Sequence, residues 1–417
     1  MTLVQAATNR KQVTVMLYTA DEVTQFVNEE DVKFIRLAFC DVFGRQKNIS
    51  IMPDELARVF KYGAAIDGSA IAGFGVGARS DLLLRPDPST LAILPWRPEH
   101  GRVVRMFCDV TYPDGRAFEC DARSVLRQAI SDARRAGYEF AFGSEMEFYL
   151  FKLDERGEPT REPYDHAGYM DIAPDDRGEN VRREICLTLE RMGIRPESSH
   201  HEEGPGQNEI DFRYSDALTA ADNAVTFCSV VKTIAARSGL CADFSPKPLA
   251  DMPGSGLHIN MSVMGDDGTR LPHLIAGVLE HVVDMTAFLN PLDASYARLG
   301  SCKAPRYLSW SSENRSQLIR VPAALGEYRR AELRSPDPSA NQYIAFTLLI
   351  YAALDGITRK LPLTDPIDEN LFCASEDTLS RLRQLPHTRA EAVKAARKSE
   401  FIAAHLPRPL IDAYCNN

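Results

Sequence analysis

The chain has 417 residues, more than one ordinary domain holds, and at 44% hydrophobic it can bury a large core. Its formal charge of -10 argues against general nucleic-acid binding and fits cation binding. Nine scattered cysteines with no Cys-x-x-Cys pair read as free thiols in a reducing cytoplasm, and no stretch approaches a membrane span.

Residues 1–17 read as a loose tail. Thr19-Ala20-Asp21-Glu22 then has the form of a capping box, and Val23, Phe26 and Val27 follow at helical spacing. Val32 to Asp41 and Gln46 to Ile51 read as two strands of a hairpin. Asp54 to Tyr62 reads as a short helix and Asp67 to Gly75 as a glycine-rich loop. Asp81 to Pro98 is proline-rich and reads as irregular, and Val103 to Val110 as another strand. The turn signal Tyr112-Pro113-Asp114-Gly115 marks a domain boundary, giving segments 18–115 and 116–417. Beyond it, helices are expected over Ala122 to Ala136, Asn180 to Met192, Leu218 to Ser238, Leu274 to Leu289 and Asn341 to Lys360. The tail from Pro366 holds charged helical pieces broken by Pro386 and by Pro407-Arg408-Pro409.

Between those helices lie four strands with one polar face. In Gly143 to Phe151, Glu145 and Glu147 share a face, opposite Met146, Phe148 and Leu150. Two carboxylates side by side on an apolar strand repel each other and are costly to bury, and a cation between them removes both objections. Glu209 and Asp211 alternate in the same way with Ile210 and Phe212. His258, Asn260 and Ser262 alternate with Leu257, Ile259 and Met261, and Arg330, Glu332 and Arg334 with Ala331 and Leu333. The four together suggest one sheet curved around a charged cleft.

Glu145, Glu147, Glu202, Glu209, His258 and Glu332 form a candidate ligand set of carboxylates with one imidazole, which suits Mg²⁺ or Mn²⁺ rather than structural zinc. So many carboxylates exceed the need of a single Mg²⁺, so about two or three ions bridging phosphates are expected. Arg298, Arg315, Arg320, Arg329, Arg330 and Arg334 fall in one region, and guanidinium forks match phosphate and carboxylate oxygens. Metals and arginines around one cleft are what phosphoryl transfer requires. No Walker loop and no kinase signature set is present.

These motifs in order resemble the glutamine synthetase family, bacterial type I. The resemblance runs from about Tyr18 to Lys360. It rests on Asp67-Gly68-Ser69, Gly143-Ser144-Glu145-Met146-Glu147, His200-His201-Glu202, Gly206-Gln207-Asn208-Glu209 and Gly254-Ser255-Gly256-Leu257-His258. Asn314-Arg315-Ser316, Arg320-Val321-Pro322 and Arg330-Ala331-Glu332-Leu333-Arg334 complete it. It implies an α+β fold, with a β-grasp N-terminal domain and a catalytic domain whose curved antiparallel sheet is flanked by helices. It further implies a dodecamer of two hexameric rings with active sites between subunits. Glu147, Glu202 and Glu209 would hold a first ion, and Glu145, His258 and Glu332 a second. Ser262, Arg315, Arg320 and Arg330 would bind ATP. Arg334 would bind the transferred phosphoryl group, and Arg298 with Gly254 the substrate acid. Asp67, with Asp81, would reach into a neighbouring subunit's site, and Asp67 would help bind and deprotonate ammonium.

The departures from the family pattern lie on the substrate side. Lys303 stands before Ala304-Pro305, where the family usually has a glutamate that closes over the site; a lysine there has the wrong sign to attract ammonium. Pro253 precedes Gly254 in place of an amide, and Ala70 replaces a serine. Phe372 replaces a tyrosine that some members adenylylate. Three readings follow: a glutamine synthetase, a γ-glutamyl ligase for another amine or acid, and a non-catalytic assembly on the same fold.

Overall fold

Alternating apolar residues build two sheets, seen in a computed structural model that describes residues 18–75, 77, 80–97, 99–324 and 329–416. The expected tail over 1–17 lies outside the described residues. The first sheet runs Gln46–Ile51, Val32–Cys40, Arg102–Thr111, Asp81–Pro86, Ala64–Asp67, with Ala92–Ile93 added along Arg102–Thr111. Its first two strands are the expected hairpin, in register from Ile35↔Ile51 to Cys40↔Gln46. Helix Ala20–Glu29 covers the sheet with Val23 and Val27, and Thr19 and Glu22 close its capping box.

The stretch from Asp81, expected to be irregular, is largely regular as far as Ile93, and Pro98 lies outside the described residues. It supplies Asp81–Pro86, with Leu82 and Leu84 buried, and the short strand Ala92–Ile93. Proline density hid the strand, yet Pro86 is its last residue, where a missing N–H costs little. Asp54 to Tyr62 divides in a similar way. Pro53–Glu55 is a single 3₁₀ turn, and the α-helix is Leu56–Tyr62.

The second sheet has ten strands and is strongly curled. Along it run Trp310–Ser312, Ile319–Val321, Ala331–Leu333, Leu257–Val263, Phe140–Leu153, Gln207–Phe212 and Pro196–His201. The four polar-faced stretches are therefore neighbours in one sheet. Their apolar faces (Met146, Phe148, Ile210, Ile259, Leu333) are fully buried. Helices Ala122–Arg135, Glu179–Arg191, Ala217–Arg237, Leu271–Leu289 and Gln342–Arg359 pack behind them, and Phe142 stacks on Phe346 with ring centroids 4.4 Å apart. Asn341 caps the last helix, its side chain accepting from the Tyr343 N–H. The break expected at Pro407-Arg408-Pro409 is present, between helix Glu400–His405 and helix Arg408–Cys415, and Pro409 fits the first turn of the second helix, which needs no N–H there.

The first sheet is tied to the helices behind the second through a buried guanidinium. Arg123 donates to Asp222 at 2.8 and 3.0 Å, to Asp109 at 2.6 Å and to Asp87 at 2.9 Å. The hairpin turn of the first sheet also docks directly, with Asn341 Nδ2 donating to the Val42 carbonyl at 2.9 Å. Among the described residues no helix is long and apolar enough to cross a membrane.

Candidate active site

Strand register brings the polar residues together. Glu147 lies opposite Glu209, Glu145 opposite Asp211 on one side and His258 on the other, and Glu209 opposite His200. Glu332 lies opposite Asn260 and Arg320. Cross-strand neighbours sit about 5 Å apart at Cβ, so one face of the sheet becomes a single field of carboxylates. Like charges there repel, and either protons or cations between them relieve the repulsion.

The expected second set, Glu145, His258 and Glu332, has ligand atoms within 4.8 Å of one another. His258 Nδ1 is 3.4 Å from Glu145 Oε2 and 3.7 Å from Glu332 Oε1. Burial and the charge of Arg334 push the His258 pKa down to about 3, leaving a neutral ring able to ligate. The first set differs from expectation. Glu202 and Glu209 group with His200, and Glu209 also groups with Glu145 and Asp211. Glu147 belongs to none of these groups among the described residues. It accepts from Gln207 Nε2 at 2.9 Å and from the Gly256 N–H at 2.8 Å, and lies 3.9 Å from His258 Nε2. His200 and Asp211 were the residues missed as ligand candidates. For Asp211 the signal was present, because it sits two positions from Glu209 on one strand face, whereas His200 is brought in by pairing of its strand with Glu209.

The donor set fits divalent ions. Burial and the carboxylates of Asp211 and Glu147 push the Glu209 pKa up; burial and Glu145 raise Asp211 to about 6. Asp211 Oδ1 is buried with no hydrogen-bond partner. Unpaired buried acids of this kind are the donors a hard cation satisfies. A different group, Asp165, Asp176 and His201, lies beneath the cleft and is already satisfied. Arg182 donates to Asp176, and His201 bonds Asp165 at 2.8 Å and the Glu202 carbonyl at 2.6 Å. An arginine there occupies the place of a cation, so the group braces the Glu202 hairpin.

Five of the six arginines singled out converge, and Arg329 lines a neighbouring cavity instead. Arg298, Arg315, Arg320, Arg330 and Arg334 all line the cleft with Glu145, Glu147, Glu202, Glu209 and His258. Arg320 donates to Glu332 at 2.7 Å, Arg334 donates to its other oxygen, and Arg330 Nε donates to Asn260 at 2.8 Å. Arg298 is buried and spends donors on the carbonyls of Ser335 at 2.8 Å and Pro336 at 3.1 Å. Gly254 sits against it, and a Cβ there would meet the Pro246 carbonyl at 2.2 Å and Arg298 Cγ at 2.9 Å. Only glycine allows that approach. The carbonyl of Pro253 accepts from Tyr149 Oη at 2.6 Å, which fixes the loop without the missing amide.

Three predicted residues stand apart. Ser262 faces an adjoining cavity that shares Glu145, Asp211 and Arg330 with the cleft. Asp67 is exposed at the end of its strand, opposite Asp81, and does not line the cleft of its own chain. Lys303 lines the cleft mouth, but its ammonium is paired with Glu203.

Comparison with known proteins agrees with this geometry. The family model described as glutamine synthetase, beta-Grasp domain, matches residues 31–113, and that described as glutamine synthetase, catalytic domain, matches 119–417. A glutamine synthetase of Clostridium saccharobutylicum is 46% identical over 400 residues, 92% of this chain and 90% of the relative. One of Methanosarcina mazei is 44% identical over 412 residues, 95% and 92% of the two chains. Among solved structures, a GmaS/ADP complex superposes with a TM-score of 0.84 at 28% identity, covering 94% of each chain. A Plasmodium falciparum glutamine synthetase shares the fold at a TM-score of 0.83 and 21% identity, over 96% of this chain and 95% of the other. With both family domains present in order and relatives this similar over nearly the whole length, the chain belongs to the glutamine synthetase family of ligases that form carbon–nitrogen bonds.

Proposed function

We propose that this chain is a glutamine synthetase, joining glutamate and ammonia at the expense of ATP through γ-glutamyl phosphate. The observation that carries the reading is the register that sets Glu145, His258 and Glu332 beside Arg320, Arg330 and Arg334 in one cleft. Glu145, His258 and Glu332 would hold one divalent ion, Mg²⁺ or Mn²⁺, and Glu147, Glu202 and Glu209 with His200 another. Asp211 offers donors for a further one. Bound there, such ions would neutralise phosphate charge.

The chain's own groups do the rest. Arg315, Arg320 and Arg330, with Ser262 in the adjoining cavity, orient the nucleotide. Arg334 faces the transferred group, where its fixed positive charge offsets charge building on phosphate oxygens. Arg298 and the Gly254 backbone hold the acid so that its γ-carboxylate oxygen attacks the γ-phosphorus and ADP leaves. Ammonia then attacks the acyl carbon. The C–O bond to phosphate breaks, phosphate takes the electron pair, and a carboxylate accepts the proton from nitrogen. Activating the carboxylate first divides one difficult step into two easier ones.

Asp67 and Asp81 would complete a neighbour's site, which fits assembly as a dodecamer of two rings. Nine free cysteines fit a reducing cytoplasm. The test is release of phosphate from ATP and Mg²⁺ with glutamate, comparing ammonium with a panel of small amines. Release with ammonium and recovery of glutamine is the expected result. Release only with another amine would reassign the nucleophile, and no release with any would overturn the enzyme reading.

A further inference from the structure

Arg298 differs from its neighbours in the cleft in what holds it. Arg320 and Arg334 are ion-paired with Glu332. Arg298, almost fully buried, is held by neutral groups instead. Its Nη1 donates to the carbonyls of Ser335 at 2.8 Å and Pro336 at 3.1 Å, and its Nη2 reaches the Arg334 carbonyl at 3.4 Å. Three consecutive carbonyls therefore fix the fork without cancelling its charge. That charge stays available to an incoming carboxylate.

Two of those carbonyls are pinned in turn. That of Pro336 accepts from the Leu257 N–H at 3.0 Å, and that of Ser335 accepts from Asn290 Nδ2 at 2.9 Å. Asn290 Nδ2 also donates to Asp337 Oδ2 at 2.9 Å. The other oxygen of Asp337 accepts from the Ser339 N–H at 3.1 Å and from the Ser339 hydroxyl. Asn290 follows helix Leu271–Leu289 and closes it, its N–H donating to the Thr286 carbonyl at 2.8 Å. Asn290 and Asp337 are both fully buried. A buried carboxylate bonded only to neutral donors is costly, so stability alone gives no reason for Asp337. Burial raises its pKa, while the Ser339 bond and then the charge of Arg298 work against that. Conversely, burial lowers the Arg298 pKa, while the charges of Glu147 and then Asp337 raise it. Asp337 thus steadies the guanidinium at a distance, with its own oxygens taken by Asn290 and Ser339. A carboxylate bonded directly to Arg298 would use up the charge.

We infer that Asp337 and Asn290 are positioning residues that aim Arg298 at the acid substrate and set the affinity for that acid. The inference rests on the glutamine synthetase reading, in which Arg298 holds glutamate. Neither residue lines the cleft, so both act through Arg298 and not on the substrate itself. Asn290 orients the Ser335 carbonyl under the fork. Asp337 orients Asn290 and supplies the distant counter-charge. An aspartate at 337 offers an acceptor to Asn290 on one side and to Ser339 on the other. An asparagine there presents a donor on one of the two sides, so one bond is lost whichever way it turns.

The test compares kcat/KM for glutamate with KM for ATP in the wild type, Asp337→Asn, Asn290→Ala, Arg298→Lys and the double variant of Asp337→Asn with Arg298→Lys. Asp337→Asn and Asn290→Ala should each lower kcat/KM for glutamate by about tenfold. The loss should fall on KM for glutamate, with KM for ATP unchanged. Arg298→Lys gives up the anchorage on three carbonyls. Adding Asp337→Asn to it should therefore lower kcat/KM for glutamate by less than about twofold more. Losses that multiply in the double variant, KM values that rise together for both substrates, or unchanged glutamate kinetics in the single variants would each overturn the inference and leave the function intact. Should Asp337→Asn fail to fold, Asn290→Ser takes its place in the same cycle, and the same outcomes decide. A wild-type protein that does not turn over glutamate overturns the function itself, and this inference with it.

Discussion

Glu332 has no solvent exposure, and both of its oxygens are already engaged, one by Arg320 and one by Arg334. Removing it strands two guanidiniums beside the cleft as well as deleting a ligand. Glu332→Ala should abolish turnover and cost about 3–5 kcal/mol of stability, the typical penalty for unpairing buried charge. Phosphate release and thermal unfolding on the same sample would check both, and a variant with most of its activity would sink the ligand assignment. The neighbouring acids predict a pH dependence. Asp211 is raised to about 6 and Glu209 is raised as well, chiefly by burial. A folded pKa above the unfolded one means that the Asp211 stability contribution is present below about pH 4 and is lost as pH rises through about 6, and Glu209 acts in the same direction. A divalent ion binds the deprotonated acids and reverses that loss. The stabilisation on adding Mn²⁺ should therefore be larger at pH 7.5 than at pH 5, read as the shift in unfolding temperature. An equal shift at both would place the ion elsewhere.

At the scale of elements, the curled sheet was legible because the polar and apolar sets alternate over four strands, and that period fixes which side chains share a face. What the period does not give is register. Glu147 and Glu145 share a face, but pairing with Glu209 and Asp211 decides which ligand joins which group. Hence Glu145, His258 and Glu332 came out as one set, while His200 stood in the group where Glu147 was expected. The Lys303–Glu203 contact was equally hidden. It joins positions a hundred residues apart, and each residue alone reads as an ordinary surface charge. Arg123 is the corresponding long-range device between the first sheet and the helices behind the second, reaching Asp87, Asp109 and Asp222 from the first turn of its helix. Arg123→Ala leaves these acids without their common partner, with Arg127 still bonded to two of them. The expected cost is about 3 kcal/mol, visible as a lower unfolding temperature. A variant as stable as the wild type would mean that docking relies on the apolar contacts and the Val42 turn instead.

For the whole molecule, the position of Asp67 sets the question. It ends a strand of the first sheet, is exposed, accepts from Ser69 N–H at 2.9 Å, and is absent from the cleft its own chain forms. Asp81 lies directly opposite it on the neighbouring strand, so two exposed carboxylates point from one edge of the N-terminal sheet. If Asp67 acts in the proposed reaction, it acts on a second copy, and each site is then heterologous: cleft from one subunit, aspartate from the next. Complementation tests this without a structure of the assembly. Asp67→Ala and Glu332→Ala homo-oligomers should each be inactive. Dissociated, mixed in equal amounts and reassembled, they should form some sites that take the intact cleft from one variant and the intact aspartate from the other. Random mixing makes that about a quarter of all sites, and glutamine formation should recover to about that fraction of the wild type. No recovery from subunits shown to have exchanged would place Asp67 in the cleft of its own chain or outside the chemistry altogether.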